Sequence, residues 1–151
     1  EAVRTMAEIA REVEKYYPHP ALRDRRLENM KPDVASSIAE AATRASEELD
    51  TPYIVTGTTT GNTAHHIAAF RPRARIVALT PDFNVARRLS LLWGTEALLI
   101  DKYASIDVLL YMAEHHMVEA GLVSSGDLIA FTTGMPVGAG GTNVLKIHQI
   151  P

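Results

Sequence analysis

The chemistry this chain could perform concentrates between Gly57 and Thr63, where two glycines and four threonines share seven residues. Tyr53-Ile54-Val55 precedes them as a short apolar run of the kind a buried parallel strand needs. Ala64, Ile67, Ala68 and Phe70 follow with helical spacing. A strand, a hydroxyl-rich glycine loop and a helix, in that order, form an anion site. The first N–H groups of the helix have no partner within it, and the macrodipole adds partial positive charge there. Threonine hydroxyls add donors, and glycine lets the backbone approach a ligand closely. The competing reading is structural, with Thr60 or Thr63 as an ordinary N-cap. No Gly-Lys-Ser/Thr follows, so this is not a Walker loop, and it is not a Gly-x-Gly-x-x-Gly fingerprint. ATP hydrolysis and NAD binding therefore lack a motif.

A second loop, Thr133 to Asn143, holds four glycines and has the composition of a flap over a ligand; its plain alternative is a hairpin-like connection. The histidine pairs His65-His66 and His115-His116 do not make a metal face, because adjacent helical residues point apart. His65 is a candidate nucleophile, whereas His115 and His116 read as helix surface. Arg87-Arg88 reads as a solvated face, and Trp93 as packing at a helix end. No Ser/His/Asp set or pair of acids suggests catalysis, and no metal site is expected.

Elements that would position these loops follow from periodicity and punctuation. Val3, Met6, Ala10, Val13 and Tyr17 predict an amphipathic helix over Glu1 to Tyr17, ended by Pro18 and Pro20. Residues 21–30 are highly charged and read as a solvated connection. A second helix is expected from Asp33 to about Leu49. Strands then alternate with helices: strands at 53–56, 75–80, 96–100, 127–133 and 143–150, with helices at 63–70, 83–93 and 105–120. Such alternation predicts right-handed crossovers and a three-layer α/β/α sandwich around a five-stranded, mostly parallel sheet. No crossover helix precedes the last strand, so it should run antiparallel to its neighbour. Lys146 and His148 alternate with Leu145 and Ile147, as on an edge strand with one polar face. Ligands of open α/β sheets bind beyond the carboxyl ends of the strands, where the loops 57–63, 80–82 and 133–143 gather.

Composition narrows the class. The 151 residues suit one ordinary domain, with 46% hydrophobic and 22% charged residues. A net charge of −3 without a basic block argues against nucleic acid as the main partner. There is no cysteine, so neither disulfides nor thiolate metal sites arise. No apolar run approaches the ~20 residues of a membrane span, and no signal peptide precedes the first helix. A cytoplasmic protein is expected. The chain begins at Glu1 without an initiator Met, which suggests a piece of something longer.

Several segments together resemble the C-terminal α/β domain of bacterial pyruvate kinases. They are Glu-Ala-Val-Arg-Thr-Met at the start, Phe-Arg-Pro-Arg-Ala-Arg-Ile-Val-Ala-Leu-Thr at 70–80 and Ala-Arg-Arg-Leu-Ser-Leu-Leu-Trp-Gly at 86–94. Gly-Asp-Leu-Ile-Ala-Phe-Thr-Thr-Gly-Met-Pro-Val-Gly at 126–138 and Gly-Thr-Asn at 141–143 complete the likeness, which covers essentially the whole chain in order and spacing. The resemblance implies one such domain over 1–151, belonging to a glycolytic enzyme that moves a phosphoryl group from phosphoenolpyruvate to ADP. That enzyme uses Mg²⁺ and usually K⁺ in a separate (β/α)₈ barrel absent here, so this chain would be non-catalytic and carry no cofactor of its own. It would bind an allosteric phosphometabolite and help to assemble a homotetramer through its final strands.

The family's effector loop, Thr-x-Ser-Gly-x-Ser, falls on Thr58, Thr59, Thr60, Gly61, Asn62 and Thr63, with every hydroxyl position kept as threonine. The flap falls on Pro136 to Asn143, including Gly138, Gly140, Gly141 and Thr142. Members activated by fructose 1,6-bisphosphate hold its second phosphate with an arginine, where this chain has Leu109. Asn62 replaces a cation seen in some members. A monophosphate such as AMP, ribose 5-phosphate or glucose 6-phosphate is therefore the expected effector. Two alternatives stand beside this reading. One is a phosphohistidine carrier using His65, because Gly-Asn-Thr-Ala-His-His-Ile-Ala resembles the loop of phosphoenolpyruvate-utilising domains. The other is a purely structural assembly domain.

Overall fold

The computed structural model describes residues 1–136 and 141–151. Its contacts fall into two units, 1–30 and 31–151. The first consists of α1 (Ala2–Glu14) and α2 (His19–Asn29). The second helix corrects the sequence reading, which treated 21–30 as a connection. Pro18 occupies its N-cap and Pro20 lies in its first turn, where a missing N–H costs nothing. The helix carries no clear apolar stripe, so periodicity could not reveal it.

The second unit opens with α3 (Val34–Glu48) and continues through β1 (Tyr53–Gly57), α4 (Asn62–Ala69), β2 (Arg75–Thr80) and α5 (Phe83–Leu89). It ends with β3 (Thr95–Leu99), α6 (Ile106–Glu119), β4 (Leu128–Thr133) and β5 (Val144–Gln149). The strands form one sheet in the order β3-β2-β1-β4-β5. Three pairings are parallel, and β4–β5 alone is antiparallel. This is the α/β architecture expected from the alternation of elements. It also places β1, and the loop that follows it, at the centre of the sheet. α5 ends earlier than Trp93, because Leu91 and Leu92 donate to the carbonyls of Arg88 and Leu89 in tightened turns. The Arg71 guanidinium lies 4.6 Å from the Trp93 ring centre.

Alternation along the strands divides the core between two faces. Val55, Val77, Leu79, Ile129 and Phe131 pack with Leu109, Leu110, Ala113 and Met117 of α6. On the other face α3 lies against α4, β1 and β4, and α4 against β1 and β2. α3 makes this approach with small residues: Ser36, Ala39, Ala42, Thr43 and Ser46 are its buried positions. Three of the helices on the sheet, α3, α5 and α6, start with a side-chain cap. Asp33 accepts from the Ser36 N–H at 2.8 Å, Asp82 from Asn84 and Val85, and Ser105 from Val108. Such caps satisfy donors that the helix leaves orphaned.

β5 differs from its expected pattern. His148 is not on a solvated face: its Nε2 meets Glu114 of α6, and the two side chains are only 15% and 20% exposed. Ile147, on the opposite face, is 39% exposed. Among the described residues no helix is long and apolar enough to cross a membrane.

Candidate functional site

The site begins where β1 runs out. Gly57 closes the strand, and a Cβ there would collide with the Leu109 side chain of α6. A glycine is thus what lets α6 pack directly under the turn. The Thr58 N–H donates to the Leu79 carbonyl at 2.9 Å, tying the start of the loop to β2. Thr58 Oγ1 then accepts the Gly61 N–H at 2.8 Å, and Thr60 Oγ1 accepts the Asn62 N–H at 3.4 Å. Gly61 itself is the N-cap of α4 with φ of 90°, a left-handed conformation that glycine adopts without Cβ strain.

Two features of this turn bear on a ligand. A hydroxyl that accepts one hydrogen bond keeps its own proton to donate, so Thr58 and Thr60 brace the loop and still present O–H groups. Among the described residues, no protein acceptor meets the N–H groups of Thr59, Thr60, Thr63 or Ala64. Unpaired donors at a helix start face the region where an anion is held best.

The loop lines a cavity of about 100 Å³. Its walls come from several elements: the loop with Gly57, Thr58, Thr59, Thr60, Asn62 and Thr63; Ala35 of α3; His66 of α4; and Tyr103 between β3 and α6. Thr133, Gly134, Pro136, Gly141 and Thr142 complete it from the β4–β5 connection. Thr63 and Thr142 are joined hydroxyl to hydroxyl at 2.6 Å, and both are buried. Behind them Asn143 grips Met135 twice, accepting from its N–H and donating to its carbonyl, each at 2.7 Å. Gly134 passes so close to the Gly141 carbonyl that no Cβ would fit there.

Among the described residues the lining contains no lysine, arginine, aspartate or glutamate. Its titratable groups are His66 and Tyr103. Burial raises the Tyr103 phenol above its ordinary value, which keeps it neutral and able to donate. Ser36 Oγ lies 3.3 Å from His66 Nδ1. Asp33, the cap of α3, has its carboxyl held below the ordinary aspartate value. The Ser36 N–H is the main cause, opposed by desolvation and reinforced by the Ser36 hydroxyl and the charge of His66.

The residues singled out in the sequence are thus largely brought together. Thr58, Thr59, Thr60, Asn62 and Thr63 line the cavity, as do Pro136, Gly141 and Thr142. Gly138 and Gly140 lie outside the described residues. Gly61 faces a different hollow of about 190 Å³, bounded by α5 and including His65 and Arg88. His65 is exposed and does not line the first cavity. Leu109 is fully buried in the α6 core and does not line that cavity either.

Sequence reasoning missed Ala35, His66 and Tyr103. His66 stands three residues after Thr63, on the same helical face, so the anion-loop reading could have reached it. Tyr103 follows the carboxyl end of β3, a place the rule for open α/β sheets indicates. Among the described residues no cluster of three His, Asp or Glu side chains could hold a metal ion.

Comparison with known proteins bears on the family and the fold. The family profile described as "Pyruvate kinase, alpha/beta domain" matches residues 36–148. The chain is 36% identical to a pyruvate kinase from Clostridium acetobutylicum over 151 residues, covering 99% of this chain and 32% of that one. It is equally similar, at 36% identity, to the pyruvate kinase of Geobacillus stearothermophilus, covering 26% of that protein. Among solved structures, a pyruvate kinase from Cryptosporidium parvum superposes with a TM-score of 0.88 at 28% identity. That match covers 99% of this chain and 30% of the other. The chain therefore spans a third or less of the length of these relatives.

Proposed function

Because the chain belongs to the pyruvate kinase alpha/beta domain family, we propose that it is the regulatory and assembly domain of a pyruvate kinase, which transfers a phosphoryl group from phosphoenolpyruvate to ADP in glycolysis. In this reading the chain performs no chemistry itself. The transfer, with its Mg²⁺ and K⁺, belongs to a catalytic barrel elsewhere in the protein. The 58–63 loop receives a phosphorylated small-molecule effector, and the β5 edge pairs with a second copy.

The observation that carries the proposal is the cavity itself. It gathers threonine hydroxyls and unpaired N–H groups and has no acidic side chain on its walls. A phosphate dianion meets donors on several sides there and no repelling carboxylate. The cavity also lacks the arginine or lysine that a second phosphate would need, and Leu109 is committed to the core. Both points favour one phosphate over two, as in AMP or a sugar monophosphate. Fructose 1,6-bisphosphate fits less well.

The test is thermal. At a ligand concentration 100 times Kd, binding stabilises the folded state by about 2.7 kcal/mol. For a chain of this size that raises Tm by roughly 5–10 °C, and by less in a longer protein. A panel of AMP, ribose 5-phosphate, glucose 6-phosphate and fructose 1,6-bisphosphate is expected to shift the Tm of the full-length protein, with the monophosphates ahead. Kinase activity should respond to the same compounds. If no phosphometabolite moves Tm or activity, the domain only assembles subunits.

A further inference from the structure

Among the described residues His66 is the single basic side chain on the wall of the cavity, and nothing about the phosphate loop requires a histidine there. Its position is set from two sides. It stands on α4 one turn after Thr63, whose hydroxyl lines the same cavity, and its Nδ1 is met by Ser36 Oγ of α3 at 3.3 Å. Ser36 is itself fixed, because its N–H donates to the Asp33 carboxylate at 2.8 Å. With Nδ1 engaged by Ser36, the nitrogen left for a ligand is Nε2, which has no protein partner among the described residues. The titratable groups around the ring are Asp33 on α3 and Tyr103 on the β3–α6 connection.

A neutral imidazole carries one N–H and one lone pair. Facing both Ser36 and an anion, it either donates Nε2–H to the anion while Nδ1 accepts from the Ser36 hydroxyl, or donates Nδ1–H to Ser36 and turns its lone pair toward the anion. An imidazolium donates at both nitrogens, Nδ1–H to Ser36 Oγ and Nε2–H to the anion. Charge-assisted bonds of that kind are the strong ones.

We propose that His66 is the residue by which the cavity senses pH and ligand charge: an anion held at the 58–63 loop draws a proton onto the imidazole, so binding takes up one proton and weakens as pH rises. The inference rests on the anion-site reading above and adds to it a specificity-determining residue. The proton comes from solvent, and no bond other than N–H forms. In a wall otherwise lined by neutral donors, this one group makes the difference between an alcohol, a monoanion and a dianion large.

Inorganic sulfate separates the protein's titration from the ligand's, because it stays a dianion where phosphate esters change charge. Sulfate binding to the full-length protein would be followed by calorimetry from about pH 5.5 to 8, the range in which histidine changes charge. Runs in buffers of different ionisation enthalpy count the protons taken up.

Affinity is expected to fall with rising pH, approaching a tenfold loss per pH unit as the slope nears one proton. His66→Gln is expected to bind more weakly at the acid end, with a flat profile. His66→Lys keeps a charge throughout and is expected to bind well with a flat profile, which a purely structural role for His66 would not produce. An unaltered pH slope in both variants overturns this inference and leaves the anion site standing. A wild-type protein that binds neither sulfate nor phosphomonoesters at any pH overturns the anion site, and this inference with it.

Discussion

At the scale of single residues, Gly57 and the threonines after it act through what they leave out as much as through what they offer. Gly57 has no Cβ, so the buried Leu109 side chain can occupy the space beneath the turn. Gly57→Ala forces the buried Leu109 side chain to move, and overpacking of this kind costs about 1–3 kcal/mol. The expected outcome is a Tm lowered by several degrees together with weaker effector binding. An unchanged Tm would mean that α6 tolerates a shift away from β1. The hydroxyls have divided roles: those of Thr58 and Thr60 accept from the loop's own N–H groups, and that of Thr63 meets Thr142. None of this was visible from side-chain type. Counting four threonines indicated donors, but not that the hydroxyls of Thr58 and Thr60 also brace the turn as acceptors.

At the scale of elements, the helix starts around the sheet are set by short side chains at defined places. Asp82 caps α5 by accepting from Asn84 at 2.8 Å and Val85 at 3.0 Å. Asp82→Ala leaves both N–H groups to water and is expected to cost about 1 kcal/mol, or a Tm loss of about 2–4 °C by differential scanning calorimetry. The effect should be independent of effector, since Asp82 does not line the cavity.

Most elements were legible in advance, and the reasons are physical. The inner strands β1, β2 and β4 are nearly continuous apolar or threonine runs, because both faces of each are covered. The antiparallel last strand followed from a connection too short to cross the sheet. α2 was not legible, since a charged helix with prolines at its start resembles a linker. His66 and Tyr103 were not legible as walls of one cavity, because one lies on α4 and the other after β3, and only tertiary packing brings them to it. The inward turn of His148 toward Glu114 was hidden for the same reason.

At the scale of the whole molecule, the sheet has two unlike rims. β3 and β5 are both partly exposed, while the three strands between them are buried. An uncovered strand edge invites pairing with another chain. On β5 Lys146 is exposed and Ile147 is 39% exposed, a mixture suited to a two-fold contact between like strands. Ile147→Asp would place like charges against each other across such an axis. It is expected to lower the assembly state measured by sedimentation, while Tm at low protein concentration changes little. A mass unaffected by this substitution would move the subunit contact away from β5.

Thr142, Asn143 and Val144 are consecutive, yet they belong to three different jobs. Thr142 touches α4, Asn143 clamps Met135, and Val144 starts the outermost strand. The roof of the pocket and the border of the sheet are therefore one piece of backbone. A chimaera that transplants another protein's roof must import that border as well. Conversely, any redesign of the border will alter the pocket's entrance.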